Sequence, residues 1–184
     1  MSETEDVQWL LHKYADENRF ANRIKNPYIY KKEIDLLSQF PAQEEEGGIL
    51  LEIGCGEGSN AFYLNKLYPN YKYVGIDYSF EKVVHSKKSY SEWALIAGDG
   101  LNLPIKEKSV DRILIRDVLH HLDSFREELI CGALKLLRED GVLMIIEGNV
   151  KEPFSRIFSM IYEAERGMRN STPEKFGKLC SRFG

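Results

Sequence analysis

Leu51-Glu52-Ile53-Gly54-Cys55-Gly56-Glu57-Gly58 places an acid and three glycines at alternate positions, a spacing built for a backbone turn that approaches a ligand. The apolar run from Ile49 to Ile53 reads as a short buried strand. Ser59 to Tyr68 carries Ala61, Phe62, Leu64, Leu67 and Tyr68 at helical spacing. The glycines therefore fall at a strand-to-helix turn. Without a Cβ they permit positive φ and let backbone N–H groups close on a ligand at a helix N-terminus.

Two phosphate-binding patterns are excluded by spacing. A dinucleotide fingerprint needs a third glycine at position 59, which is Ser59. A P-loop needs a lysine after its last glycine, and Ser59 and Asn60 stand there. Four further segments follow in order. Tyr71-Lys-Tyr-Val-Gly-Ile-Asp77 reads as a strand ending in an acid, 19 residues beyond Gly58. A carboxylate there can accept hydrogen bonds from a ribose, as dinucleotide folds also arrange. Trp93 to Asp99 and Gly100-Leu-Asn-Leu-Pro104 read as a strand and loop. Next come Ser109-Val-Asp-Arg-Ile-Leu-Ile-Arg116-Asp-Val-Leu-His-His-Leu122 and Leu134-Lys-Leu-Leu-Arg-Glu-Asp-Gly141-Val-Leu-Met-Ile-Ile-Glu147.

Together these five elements, over about residues 45 to 148, resemble the class I S-adenosylmethionine-dependent methyltransferases. The resemblance implies a Rossmann-like α/β fold, a mainly parallel sheet with helices on both faces. It implies S-adenosylmethionine as cofactor and S-adenosylhomocysteine as product. The cofactor site it implies comprises Glu52, Gly54, Cys55, Gly56, Gly58, Asp77, Tyr78, Asp99, Gly100 and Arg116. In it Glu52 and the glycine backbone organise the methionine end, Asp77 holds the ribose, and Asp99 accepts from the adenine amino group. Residues 116 to 121 lie beside the transferring methyl. Arg116 is larger than the small residue often found there, so it turns outward or recognises an anionic substrate group.

No residue is assigned as catalytic. His121 and Asp117 are the candidate general bases, because imidazole titrates near neutral pH and a carboxylate can accept a proton. The preferred reading of His120 and His121 is nevertheless as packing or hydrogen-bonding groups, and Asp117 is alternatively a cap on the following turn. The absence of Asn-Pro-Pro-Tyr or Asp-Pro-Pro-Tyr after the fourth strand argues against a nucleic-acid amine methylase. A methyltransferase acting on a small, hydrophobic molecule is the leading expectation. The alternatives are a non-catalytic cofactor-binding regulatory or partner subunit and, weakened by Ser59, a nicotinamide oxidoreductase.

Composition sets bounds on these readings. With 184 residues the chain suits one α/β core, preceded by an N-terminal helical cap and linker, 1–48, and followed by a methyltransferase domain, 49–184. A formal charge of −4 argues against a phosphate-tracking surface. The N-terminus Met1-Ser-Glu-Thr-Glu-Asp is acidic and no apolar run is long enough to span a bilayer, so a cytoplasmic protein is expected. The three cysteines, Cys55, Cys131 and Cys180, show neither disulfide nor zinc-ligand spacing, and no metal is expected. Cys55 reads as a reactive thiol or as a small residue that fits the turn.

Helices are expected at residues 3 to 20 and 27 to 40, the second opened by Asn26-Pro27. A polar linker, Pro41 to Gly48, follows. Further helices are expected near 59 to 68, 80 to 92 and 125 to 138, the last with a Ser124/Glu127 capping box. Trp9, Tyr14, Phe20, Tyr28 and Tyr30, with the stretch from Pro153, would cover the site. A helix over about 153 to 168 carries Phe154, Ile157, Phe158 and Ile161 as a core-facing stripe, and Thr172-Pro173 opens a short final helix. The family's C-terminal hairpin, strands six and seven, is not found after it. Strand five would then be an open edge and a place for homodimer pairing.

Overall fold

The computed structural model describes residues 25–40, 47–122 and 124–183. The helix expected at 3 to 20, with Trp9, Tyr14 and Phe20, lies outside these residues, as does most of the linker.

Five strands form one parallel sheet: β1 (Ile49–Ile53), β2 (Lys72–Asp77), β3 (Ala94–Ala97), β4 (Val110–Arg116) and β5 (Leu137–Ile146), in the spatial order β3-β2-β1-β4-β5. The chain runs outward from β1 to β3, then crosses back to β4. The order therefore reverses between β1 and β4, and ligands of open α/β sheets bind in the crevice at that switch. Register makes the carboxyl ends level. Ile53 lies opposite both Ile76 and Ile115, Asp77 opposite Ala97, and Arg116 opposite Ile146. Gly54, Asp77, Asp117 and Glu147 consequently stand along one edge.

Helices cover both faces: α1 (Pro27–Leu37), α2 (Ser59–Leu67), α3 (Phe80–Ser89), α4 (Arg126–Leu136), α5 (Pro153–Ile161) and α6 (Pro173–Cys180). Two short 3-10 helices, Leu119–His121 and Glu163–Asn170, complete the described elements. The period-2 alternation of strands sorts side chains between two cores. Leu51, Ile53, Ile113 and Ile115 pack with Leu129, Ile130 and Ala133 of α4. Leu50, Leu114 and Tyr73 face the other way, onto Leu37, Ala61, Tyr63, Leu64 and Trp93. Burying each large apolar side chain contributes roughly 1.5 to 3 kcal/mol. Glu52 shares the parity of Leu50 and so enters the second core, where it is fully buried.

Local chemistry explains where three of the six α-helices start. Asn26 Oδ1 accepts from the N–H groups of Tyr28 (3.0 Å) and Ile29 (3.3 Å), with Pro27 in the first turn, so α1 starts where expected. It ends at Leu37, where the Tyr68 hydroxyl lies 2.9 Å from the carbonyls of both Leu37 and Phe40. Ser79 caps α3 and Thr172 caps α6.

Some expectations change. Ser124 does not cap α4: Phe125 occupies the cap position and no side chain bonds the first turn, so no capping box forms with Glu127. The Gly141 turn is absorbed into β5, where register slips between the Val110–Leu137 and Arg112–Val142 pairs. The helix expected over 153 to 168 ends at Ile161 and gives way to 3-10 geometry from Glu163. Its stripe does not face the core at Ile157 and Ile161, which are 54% and 67% exposed.

Candidate functional site

The glycine turn is lashed to β2. Gly54 and Cys55 both donate to the Ile76 carbonyl, at 2.7 and 3.0 Å, and Gly56 donates to Asp77 Oδ2 at 2.7 Å. All three glycines have positive φ: 80° at Gly54, 52° at Gly56 and 77° at Gly58. A Cβ on Gly54 would lie 2.1 Å from Val118 Cγ2, whereas one on Gly56 would face open space with Asp77 Oδ2 4.0 Å away. The first glycine is thus required for packing. The second faces an opening beside Asp77, whose other oxygen accepts from the Ser79 N–H at 2.8 Å.

Asp99 is exposed one strand further along, and it shapes its own loop by accepting from Leu101 N and Asn102 Nδ2, both at 2.9 Å. Gly100 lies against Ile53 and Leu129, and Tyr78 beside Asp77 is 63% exposed. Cys55 points into the protein, and burial, reinforced by Glu52 and Asp77, pushes its thiol far above the ordinary cysteine range. It is a packed thiol rather than a reactive one, because thiolate is the nucleophilic form.

Glu52 does not open onto the turn. Tyr73 Oη donates to its Oε2 at 2.5 Å and Asn60 Nδ2 to its Oε1 at 2.6 Å. Burial raises its pKa to about 7, against the lowering effect of those two hydrogen bonds and of Arg116. The network continues outward. Arg116 donates to Asn60 Oδ1 at 2.8 Å and makes a forked pair with Glu33 of α1, at 2.5 and 3.2 Å. Burial works against the Arg116 charge, but the Glu33 carboxylate outweighs it and raises the pKa. Glu33, Asn60 and Tyr73 were not legible as site residues, since each contacts the network only through tertiary packing.

Beyond β4 the roles of the candidate bases separate. Asp117 has φ 54°, an unusual backbone conformation for a residue with a side chain. It does not cap the following turn: Glu147 Oε1 accepts the N–H groups of Val118 (2.9 Å) and Leu119 (2.6 Å) instead. His120 is buried, with Nδ1 2.7 Å from Glu147 Oε2 and Nε2 3.1 Å from Glu165 Oε2. Burial disfavours its charge, but the two carboxylates prevail and lift its pKa to about 9. His121 reaches solvent, its ring centroid 4.0 Å from that of His120. Buried Arg126 donates to the carbonyls of Leu119 (2.9 Å), Asn170 (3.3 Å) and Gly167 (2.8 Å), joining the two 3-10 helices.

This arrangement coincides with a known family. Residues 51–145 match the methyltransferase domain, a span that takes in the glycine turn, Asp77, Asp99 and the end of β4. The chain belongs to the methyltransferase-domain family. Its fold is the class I methyltransferase fold. The phosphoethanolamine N-methyltransferase 2 of Haemonchus contortus, solved in complex with S-adenosylmethionine, superposes with TM-score 0.71 at 16% identity, over 97% of this chain and 44% of that one. The fatty-acid O-methyltransferase of Mycolicibacterium smegmatis is 24% identical over 144 residues, 76% of this chain and 52% of the relative. The tRNA (carboxymethyluridine(34)-5-O)-methyltransferase of Saccharomyces cerevisiae is 30% identical over 112 residues, 60% and 39% of the two chains. This methyltransferase domain spans about half, or less, of the length of these curated relatives.

Proposed function

We propose that this methyltransferase domain binds S-adenosylmethionine at the carboxyl edge of β1 and β2 and transfers its methyl group to a small-molecule acceptor, releasing S-adenosylhomocysteine. The observation that carries the reading is the turn Gly54 to Gly58. Its middle glycine opens toward solvent next to a carboxylate at the end of the neighbouring strand. A bulky adenosyl group with ribose hydroxyls fits such an opening, because Asp77 retains lone pairs beyond the two backbone N–H groups it already accepts.

The cofactor supplies a methyl group already activated on a sulfonium. Asp77 would hold the ribose, Asp99 and Gly100 the adenine edge, and the glycine backbone the methionine end, with Tyr78 flanking. Glu52 acts one layer back, fixing Asn60 and through it Arg116. Alignment and exclusion of water are then the protein's main contributions, and well-oriented reactants gain about 7 to 11 kcal/mol by this route. His121 and Asp117 remain the candidates for taking a proton from the acceptor. The exposed Ile157, Met160 and Ile161 of α5 support a hydrophobic acceptor. No described helix is long and apolar enough to cross a membrane.

Incubation of the full chain with labelled S-adenosylmethionine and a metabolite extract tests the reading. A product heavier by one methyl group is expected. Calorimetric binding of S-adenosylmethionine without any product from intact protein would favour a non-catalytic subunit. Absence of binding would overturn both.

A further inference from the structure

Two separate stretches of the chain bring ligand-type atoms together beyond the end of β4. His120, His121 and Glu165 each offer one such atom, and all lie within 4.8 Å of one another. We propose that these three side chains bind a divalent first-row cation of the zinc type.

His120 Nε2 and Glu165 Oε2 are 3.1 Å apart. Two ligands on one tetrahedral ion, with bonds of about 2.0 to 2.2 Å, stand about 3.4 Å apart. A cation can therefore replace the proton between them with little movement of either group. The other imidazole nitrogen, Nδ1, is 2.7 Å from Glu147 Oε2. A carboxylate there fixes the tautomer that leaves Nε2 free to ligate and holds the ring in orientation. Glu147 is itself immobilised by the Val118 and Leu119 N–H groups. The His121 ring rests against that of His120 and is solvent-accessible, so a side-chain rotation brings a ring nitrogen to the ion. Two imidazoles and one carboxylate suit zinc, and three protein ligands leave a fourth position for water or another oxygen donor. Glu165 lies 44 residues beyond His121, which is why no ligand spacing showed in the sequence. Bound there, the ion would pin the 3-10 helix Glu163–Asn170 to the one at Leu119–His121.

The test is calorimetric titration of Zn²⁺ alone into the intact chain, and it is independent of whether the chain transfers methyl groups. One site per chain is expected. His121→Ala and Glu165→Gln should each weaken it about tenfold or more, and Glu147→Gln by about 10- to 100-fold, the effect usual for an outer partner. His121 and Glu165 both reach solvent, so these two variants should keep the circular dichroism spectrum of the parent. Co²⁺ should give visible d–d bands without a thiolate charge-transfer band. Lack of saturable Zn²⁺ binding would overturn the proposal. So would binding undiminished by His121→Ala and Glu165→Gln, or a thiolate band from Cys131 or Cys180. A hydrogen-bonded ion pair would then be the whole role of the cluster.

Discussion

Asp77 ties the glycine turn to β2 by receiving the Gly56 and Ser79 N–H groups, and in the proposed function the same carboxylate receives the ribose. Asp77→Ala should weaken S-adenosylmethionine binding by about 1.5 to 3 kcal/mol, roughly ten- to a hundredfold, as for other hydrogen bonds to a charged group. Calorimetry showing parental affinity would remove Asp77 from the site. The two adjacent histidines should differ sharply in what their loss costs. His120→Ala leaves Glu147 and Glu165 without their shared cation, and breaking a buried pair typically costs about 3 to 5 kcal/mol. Chemical denaturation should show that loss. His121→Ala, at a solvent-accessible position, should change stability by no more than about 0.5 kcal/mol. A fall in turnover of about 10² to 10⁴ in that variant relative to the parent, with cofactor affinity intact and both proteins assayed free of metal in the presence of a chelator, would identify His121 as the general base.

At the scale of elements, the β1-to-α2 turn has one glycine that packs and one that faces an opening. Gly54→Ala puts a methyl group 2.1 Å from Val118 Cγ2 at φ 80° and should destabilise the fold. Gly56→Ala meets no clash, so its stability cost should be only the roughly 1 to 2 kcal/mol of a left-handed backbone, while cofactor affinity falls. Thermal melts and calorimetry on the pair separate the two effects. If Gly56→Ala binds S-adenosylmethionine as tightly as the parent, the glycine turn is not the cofactor cradle. Both glycines were legible in the sequence as one motif. Their division of labour was not, since it depends on Val118, 64 residues along the chain.

For the whole molecule, Glu52 couples stability to pH. Its carboxyl titrates near 4.5 when exposed and at about 7 in the folded protein, so between these values the native state holds the extra proton. Stability from this group is therefore complete below about pH 4.5 and lost as pH rises to about 7, on the order of 3 kcal/mol in all. Glu52→Gln removes that slope, and urea titrations should show the variant gaining on the parent across this window. Equal slopes in parent and variant would mean that Glu52 is ionised throughout.

Spacing along the chain was enough to read the family, the glycine turn and the order of the described strands and helices, including strands that end at Asp77 and just before Asp99, because these depend on apolar runs, glycines and strand-terminal acids. Tertiary structure decided the rest. Parity on β1 turned Glu52 into the second core, where Tyr73 and Asn60 occupy its oxygens. Parity on β4 sent Arg116 to the same side, to meet Glu33. The β4–β5 register set Glu147 beside the end of β4, where it meets His120 and takes the capping role from Asp117, the 3-10 helix Glu163–Asn170 brought Glu165 onto the same imidazole, and His121 was left at the surface. Burial and long-range pairing set the charge and contacts of a side chain, and neither is written in the spacing of its neighbours along the chain.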